Sequence, residues 1–555
     1  MITDDLSPKP TDVDSLRFVH CLTSRDPNIR NRGFEMITRT IDTWLGGYGS
    51  PPGPRMERVN GGLDCIALVQ EQLGDLLRLS VQCPFDDVRE KCINLLEDLK
   101  ERGRGLKVPR RIGDGPCRFI PENEVMPVNT TEDQTQMLYV DAFLQNNRLD
   151  HVTQLVGFHP SYLECFLRTQ QFLLREDGPL PFDYRHFIAI MAAGRHQCSY
   201  LINLHTQEFI LKGGDPAWLR GLNFIPKKLR DLYEINKLLA HRPWLITKSH
   251  IEKLTRGTGK DNWSLSELMH ALILLSHFHA LASFVYGCGI HTEIDHTGGH
   301  SYRHHSTSES NSNDTDYNSD GSSDGGIPTD SDSEVGIEIL MERMRKLTEE
   351  EEETTHEERL KRFEKVESQS VELTTSSKQP SPKADILKFV DDSEYVYQDF
   401  AKRGSVSEIP TFRAQDYSWE DHGFSLANRL YAETGTLLDD KFRMAYNLTY
   451  YTMGEMVNVD TTAFRRAIWN YIHCMYGIRH DDYNYGEVNH LLERSLKAYI
   501  KTVTCYPERL TKKDYDNVMK GFKHSEKVHV NLMLLEARMQ AELLYALRAV
   551  MQYMT

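Results

Sequence analysis

The sequence predicts an all-α protein. Three observations carry that prediction: apolar residues recur at helical spacing along most of the chain, period-two alternation is scarce, and the last stretch consists almost wholly of strong helix formers. With 555 residues, 39% of them hydrophobic, the chain is long enough for several packed cores.

Residues 1–115 form the first segment. Helical signals run through Asn28 to Ile37, Leu63 to Leu79 and Val88 to Leu99. Between them Gly46 to Pro54 reads Gly-Gly-Tyr-Gly-Ser-Pro-Pro-Gly-Pro, which no helix continues through. A basic, Gly-rich stretch, Gly103 to Pro116, marks a boundary. Residues 118–290 read as a mostly helical domain. Val140 to Leu149, Tyr162 to Leu174, Tyr184 to Leu211, Leu229 to Leu239 and Ser264 to Tyr286 each carry spacings near 3.6. Gly213-Gly214 and Pro226 punctuate them.

Residues 291–383 read as an acidic, Ser-rich disordered linker. To about Gly336 aliphatic residues almost vanish, so burial there does not offset ordering entropy. Five histidines between His291 and His305 read as incidental linker residues, since no scaffold presents them to a metal. Ile337, Leu340, Met341, Met344 and Leu347 then share one face of a charged helix, followed by Glu349 to Glu353 and a polar stretch to Lys383. Residues 384–555 form the last domain, ending in a long helix from about Ser525 to Met551.

Composition narrows the function. With 81 acids against 65 bases the net charge is −16, which argues against nucleic-acid binding. No apolar run of roughly 18 residues stands out, so no membrane span is expected. The start, Met1-Ile-Thr-Asp-Asp-Leu6, lacks an apolar core, so no signal peptide is expected. Ten cysteines scattered without a Cys-x-x-Cys pair read as reduced thiols of an intracellular protein.

Two places invite chemistry. Cys198 and His205 lie two helical turns apart, so the imidazole is placed to raise the thiolate fraction for peroxide attack. The alternative is a small buried thiol and a satisfied core histidine. In the last domain Thr461 and Arg465 are four apart, so a hydroxyl and a guanidinium converge on one face, as a carboxylate requires. Glu526 opens the final helix and suits an ammonium. The alternatives are an N-cap threonine and a first-turn acid. Asp481-Asp482-Tyr483-Asn484-Tyr485-Gly486 lacks the spacing of a calcium loop. It reads as an exposed acidic turn, either docking a basic partner or merely solvated. Arg494, Lys497 and Lys501 share a face that reads as solvated surface.

With these residues in view, the chain closely resembles the sestrin family. The matching text is Arg195-His-Gln-Cys-Ser-Tyr-Leu, Ile235-Asn-Lys-Leu-Leu-Ala-His-Arg-Pro-Trp-Leu-Ile-Thr-Lys, Phe412-Arg-Ala-Gln-Asp-Tyr, Trp419-Glu-Asp-His-Gly, Arg465-Arg-Ala-Ile-Trp-Asn-Tyr-Ile-His and His524-Ser-Glu-Lys-Val-His-Val-Asn-Leu. It runs from about Phe119 to the C-terminus, the linker excepted, and leaves residues 1–115 as a helical extension without a role.

The resemblance implies two related helical halves, each similar to the alkylhydroperoxidase AhpD fold, joined by a disordered linker. It implies alkyl hydroperoxide reduction in the first half. Cys198 matches the redox cysteine, and Tyr200 and His205 match its proton-relay partners. Leu201 stands where AhpD enzymes carry a second cysteine, so turnover would need an external thiol. In the second half it implies leucine binding. Arg465 would hold the carboxylate, Glu526 the ammonium, and Thr449, Tyr450 and Thr452 the lid, with Thr461 adding a hydroxyl. Phe464, Met519 and Phe522 would form the pocket floor. Here Met519 replaces a family tryptophan and Phe464 a leucine.

Asp481 and Asp482 match the acidic pair that binds the GATOR complex upstream of the TOR kinase, with His480 placed to make that contact pH-sensitive. The implied function is a leucine sensor and stress-responsive negative regulator of TOR-complex signalling, located in the cytoplasm and also the nucleus. The alternative is a one-cysteine alkyl hydroperoxide reductase acting through Cys198. Stress-kinase and peroxiredoxin-system proteins are further implied partners. No cofactor and no metal are expected.

Overall fold

Helices make almost all of the regular structure in the computed structural model, which describes residues 19–45, 65–102, 106–109, 115–256, 261–294, 336–349, 354–373, 384–405 and 409–555. The protein is all-α. Two short strand pairs are the exceptions: Phe412–Arg413 runs parallel to Ile478–Arg479, and Thr452–Met453 pairs antiparallel with Met456–Val457.

Two long helices cross at the centre. Leu265–Gly287 begins at a capping box in which Ser264 and Glu267 each bond the other's backbone amide, at 3.2 and 2.8 Å. It is buried on nearly all sides, mostly against the final helix, His524–Met554. Among the described residues it is the one helix long and apolar enough to cross a membrane, which the sequence reading overlooked; its whole apolar window is packed inside the protein.

Charges buried between these helices are fully engaged. Arg538 donates to Glu542 at 2.9 Å, to Ser283 Oγ at 2.7 Å and to His196 at 2.6 Å. Glu542 also holds His279 Nδ1 at 2.9 Å, whose Nε2 reaches Asn236 Oδ1 at 2.8 Å. Removing one partner of such a pair leaves an uncompensated buried charge, so the network locks one relative placement of the helices.

The two halves repeat a local design. Phe182–Arg195 and Thr462–Met475 are both 14 residues long. Each ends in a near-identical cap: His196 at φ −104°, ψ 13° precedes left-handed Gln197, and Tyr476 at φ −90°, ψ 7° precedes left-handed Gly477. Gly477 is required there, because a Cβ would lie 2.3 Å from the Phe400 ring. Further on, Arg242 (φ −147°, ψ 63°) and Pro243 correspond to Tyr506 (φ −141°, ψ 51°) and Pro507. Thr247 and Thr511 then cap a short helix, their amides bonded to His250 at 3.1 Å and to Asp514 at 2.9 Å. A long central helix follows in each case.

Several expectations change. Tyr184 to Leu211 is not one helix, since left-handed Gln197 separates Phe182–Arg195 from Ser199–Leu211. The charged helix forms as Ile337–Glu349, with Leu340 and Met344 buried. The polar stretch after it contains a second helix, His356–Val371, which buries Phe363 and Val366 against the second half. Lys501, read as solvated, is 3% exposed and paired with Asp399 at 2.7 Å. The Gly46 to Pro54 turn and most of the histidine tract lie outside the described residues.

In the N-terminal segment Pro27–Leu45, Cys65–Gln82 and Asp86–Arg102 pack on one another. Their junction touches the first half, where Phe85 packs edge-on against Phe143 at 6.0 Å and Gln82 reaches Glu293 at 3.1 Å.

Candidate functional site

A cavity opens between the start of Thr462–Met475, the start of the final helix and the 448–461 connection. Thr449, Tyr450, Thr452, Thr461, Arg465 and Glu526 all line it. Thr461 is the N-cap residue, and its Oγ1 accepts from Arg465 Nε at 3.1 Å; Arg465 also donates to Thr462 Oγ1 at 3.1 Å and to the Tyr446 carbonyl. Among the described residues no carboxylate binds this guanidinium, although it is only 6% exposed and burial pushes its pKa down. A buried cation facing a cavity in this way suits an anion.

Glu526 stands across the cavity. Its Oε1 accepts from Thr452 Oγ1 at 3.2 Å, and the Gly454 amide reaches both oxygens at 3.0 and 2.9 Å. The Lys523 amide donates to Oε2 at 2.9 Å, the capping-box contact of a first-turn acid. Among the described residues no basic side chain binds it. The first-turn cap expected as the alternative is thus formed, and the same carboxylate also lines the cavity.

The apolar wall includes Phe464 and Phe522, whose ring centroids lie 5.9 Å apart. Met519 is not part of it. Its backbone is left-handed at φ 50°, and Met453 and Met533 supply the thioethers that line the cavity.

Sequence reasoning missed His159, which comes from the first half. Its Nε2 lies 2.8 Å from the Ser525 carbonyl and must donate; its Nδ1, at 2.9 Å, then accepts from the Tyr450 hydroxyl. Burial pushes its pKa down to about 3, consistent with a neutral ring. Tyr450 thus joins the 448–461 connection of the second half to the first half. The Arg465 signal was in the sequence; the His159 signal was not, because no local pattern links it to residues 366 positions away.

The acidic turn is split. Asp482 is exposed, but Asp481 is buried and bound by Arg479 at 2.5 Å and Arg413 at 3.0 Å. Burial alone would raise its carboxyl, yet those bonds hold it below the usual range. The exposed acidic pair expected from sequence is one exposed carboxylate beside one internal anchor. His480 faces inward, 2.9 Å from His473, and burial holds its pKa down against the two aspartates.

Cys198, Tyr200 and His205 are close in sequence yet do not bond one another. Cys198 is the N-cap of Ser199–Leu211, and burial pushes its thiol up to about 12 despite the amides of Tyr200 and Leu201. The Tyr200 hydroxyl donates to buried Glu293 at 2.6 Å. His205 pairs with His186 at 3.1 Å, and burial pushes both rings far below their usual pKa.

Fold and site define an all-helical protein of two related halves, with a pocket in the second that offers opposite charges at its two ends. The model for the PA26 p53-induced protein (sestrin) family matches residues 115–554. Sestrin-1 of Xenopus laevis is 50% identical over 487 residues, covering 86% of this chain and 100% of its own. Sestrin-3 of Mus musculus is 53% identical (84% of this chain, 97% of its own) and Sestrin-2 of Homo sapiens 52% (80% and 92%). The chain belongs to the sestrin family, whose members include stress-inducible regulators.

Proposed function

We propose that this protein senses free leucine and restrains TOR-complex signalling by binding the GATOR complex until leucine releases it. The observation that carries the reading is buried Arg465, without a carboxylate partner among the described residues, facing the Glu526 carboxylate across an apolar-walled cavity. That layout suits an α-amino acid with an aliphatic side chain: carboxylate to Arg465 and Thr461, ammonium to Glu526. Ligand binding would draw the Thr449–Thr452 lid closed and favour the state that does not hold the partner. Partner contact through the acidic turn falls to Asp482, with Asp481 holding the turn in shape.

Calorimetry with leucine and capture of purified GATOR test this together. Glu526→Ala should capture the partner yet no longer release it on leucine addition. Leucine-driven release that persists in Glu526→Ala would sink the assignment.

Peroxide reduction at Cys198 is the second reading. One observation favours it: Cys198 stands at the N-cap position of Ser199–Leu211, where the nearby amides of Leu201 and Tyr200 act to lower the thiol pKa against its burial. Cys198→Ser should abolish any peroxide turnover and leave partner capture intact.

A further inference from the structure

A second, small cavity lies where the halves meet. Arg195 and His241 enter it from the first half, Cys505 and Glu508 from the second. His241 and Cys505 occupy corresponding places in the repeat, each two residues before its proline. Residues 386–396 roof the cavity as a strap. Arg195 pins the strap by donating to the carbonyls of Asp391 and Tyr395 at 3.0 and 2.7 Å, and Arg242 donates to that of Val396 at 3.0 Å. Just beyond, the Tyr397 hydroxyl donates to the Met475 carbonyl at 2.9 Å, so the strap grips both halves.

The polar groups facing this space are unusually incomplete. Both ring nitrogens of His241, which is 5% exposed, have no partner. The Arg195 Nε and the Tyr395 hydroxyl are also buried and unpartnered. Buried polar groups are normally satisfied, so four such atoms on residues that line one cavity point to a site for a polar ligand. Its charge follows from the surroundings. Burial, reinforced by Arg195 and Arg538, keeps His241 neutral, so one nitrogen donates. Among the described residues no carboxylate binds Arg195, which is 6% exposed. Glu508 is the only acid in the lining, and burial pushes its carboxyl up, towards the neutral form. Three donors therefore face a positive field, beside the aliphatic side chains of the strap.

We propose that this junction cavity binds a small aliphatic carboxylate, its oxygens on His241, Arg195 and Tyr395 and its chain against Leu387, Val390 and Val396. Such an anion completes the donors and lies under the strap that joins the halves. It is distinct from the Arg465 pocket and does not depend on the function proposed for that pocket.

The test is calorimetry of the full chain with propionate against chloride at equal ionic strength. Saturable one-site binding is expected, absent in His241→Phe and weakened roughly tenfold in Tyr395→Phe, the loss of one hydrogen bond to a charged group. Binding should persist in Arg465→Met. Absence of saturable heat would mean that ordered water alone fills the cavity, and the proposal fails. Retention in both His241→Phe and Tyr395→Phe, or loss in Arg465→Met, also overturns it, the last by moving the carboxylate to the other pocket. Should His241→Phe not fold, Tyr395→Phe decides.

Discussion

Arg185 and Arg465 occupy the same place, the fourth residue of corresponding 14-residue helices, and meet opposite fates. In the first half a six-residue connection, 176–181, wraps the guanidinium. Arg185 donates to the carbonyls of Leu180 at 2.9 Å, Glu176 at 2.6 Å and Leu173 at 3.3 Å and is 1% exposed. In the second half the connection runs from 448 to 461 and folds into the Thr452–Val457 hairpin, which stands off and leaves a cavity. Arg465 keeps one carbonyl, that of Tyr446, and two hydroxyls. One scaffold position is thus a structural pin where the connection is short and a group left facing a cavity where it is long. Loop length decides which.

The largest expected effects come from exchanging these two residues for methionine. Arg185→Met strands three buried carbonyls and should cost about 3 kcal/mol of stability by denaturant unfolding. Arg465→Met should change stability far less but weaken leucine binding by roughly a hundredfold in calorimetry, the loss of charge-assisted bonds to a carboxylate. If Arg465→Met unfolds the protein as readily as Arg185→Met, the two arginines are both pins and the comparison collapses.

Much of this contrast was legible in the sequence. Helices were read in nearly the right places because apolar spacing reports burial directly. Thr461 and Arg465 were paired from their spacing, and the structure bonds them. Other features depended on partners far away. Nothing near Asp481 announces Arg413, which arrives through the parallel strand pair. The helix His356–Val371 did carry a signal, Phe363, Val366 and Ser370 on one face, but charged neighbours masked it. The break at Gln197 carried none, because a left-handed glutamine is written like any other.

The next largest effect concerns the turn that follows each repeated helix. Cys198 in the first half corresponds to Ile478 in the second, and the thiol is as enclosed as the isoleucine, 1% against 0% exposed. A pKa raised from 9.0 to about 12 lowers the thiolate population about a thousandfold. Greater nucleophilicity of the more basic thiolate recovers part, leaving alkylation roughly fiftyfold slower than for an unperturbed thiol. Mass spectrometry after timed iodoacetamide treatment measures this. Rapid labelling of Cys198 in the native protein would show that the turn opens, and would strengthen the peroxide reading.

The smallest effect tests whether the lid of the second half leans on the first. Tyr450 is half-exposed, and its hydroxyl donates to His159 across the junction. Tyr450→Phe keeps the ring against the cavity and deletes that single bond, which is worth about 1 kcal/mol, so leucine affinity should fall roughly fivefold. The loss should appear as faster dissociation, because the bond holds a closed lid and does not guide entry. His159→Ala should then add little to Tyr450→Phe, since both changes remove the same contact. Fully additive losses would mean that His159 acts through Ser525 on the final helix instead, and that the lid closes without help from the first half.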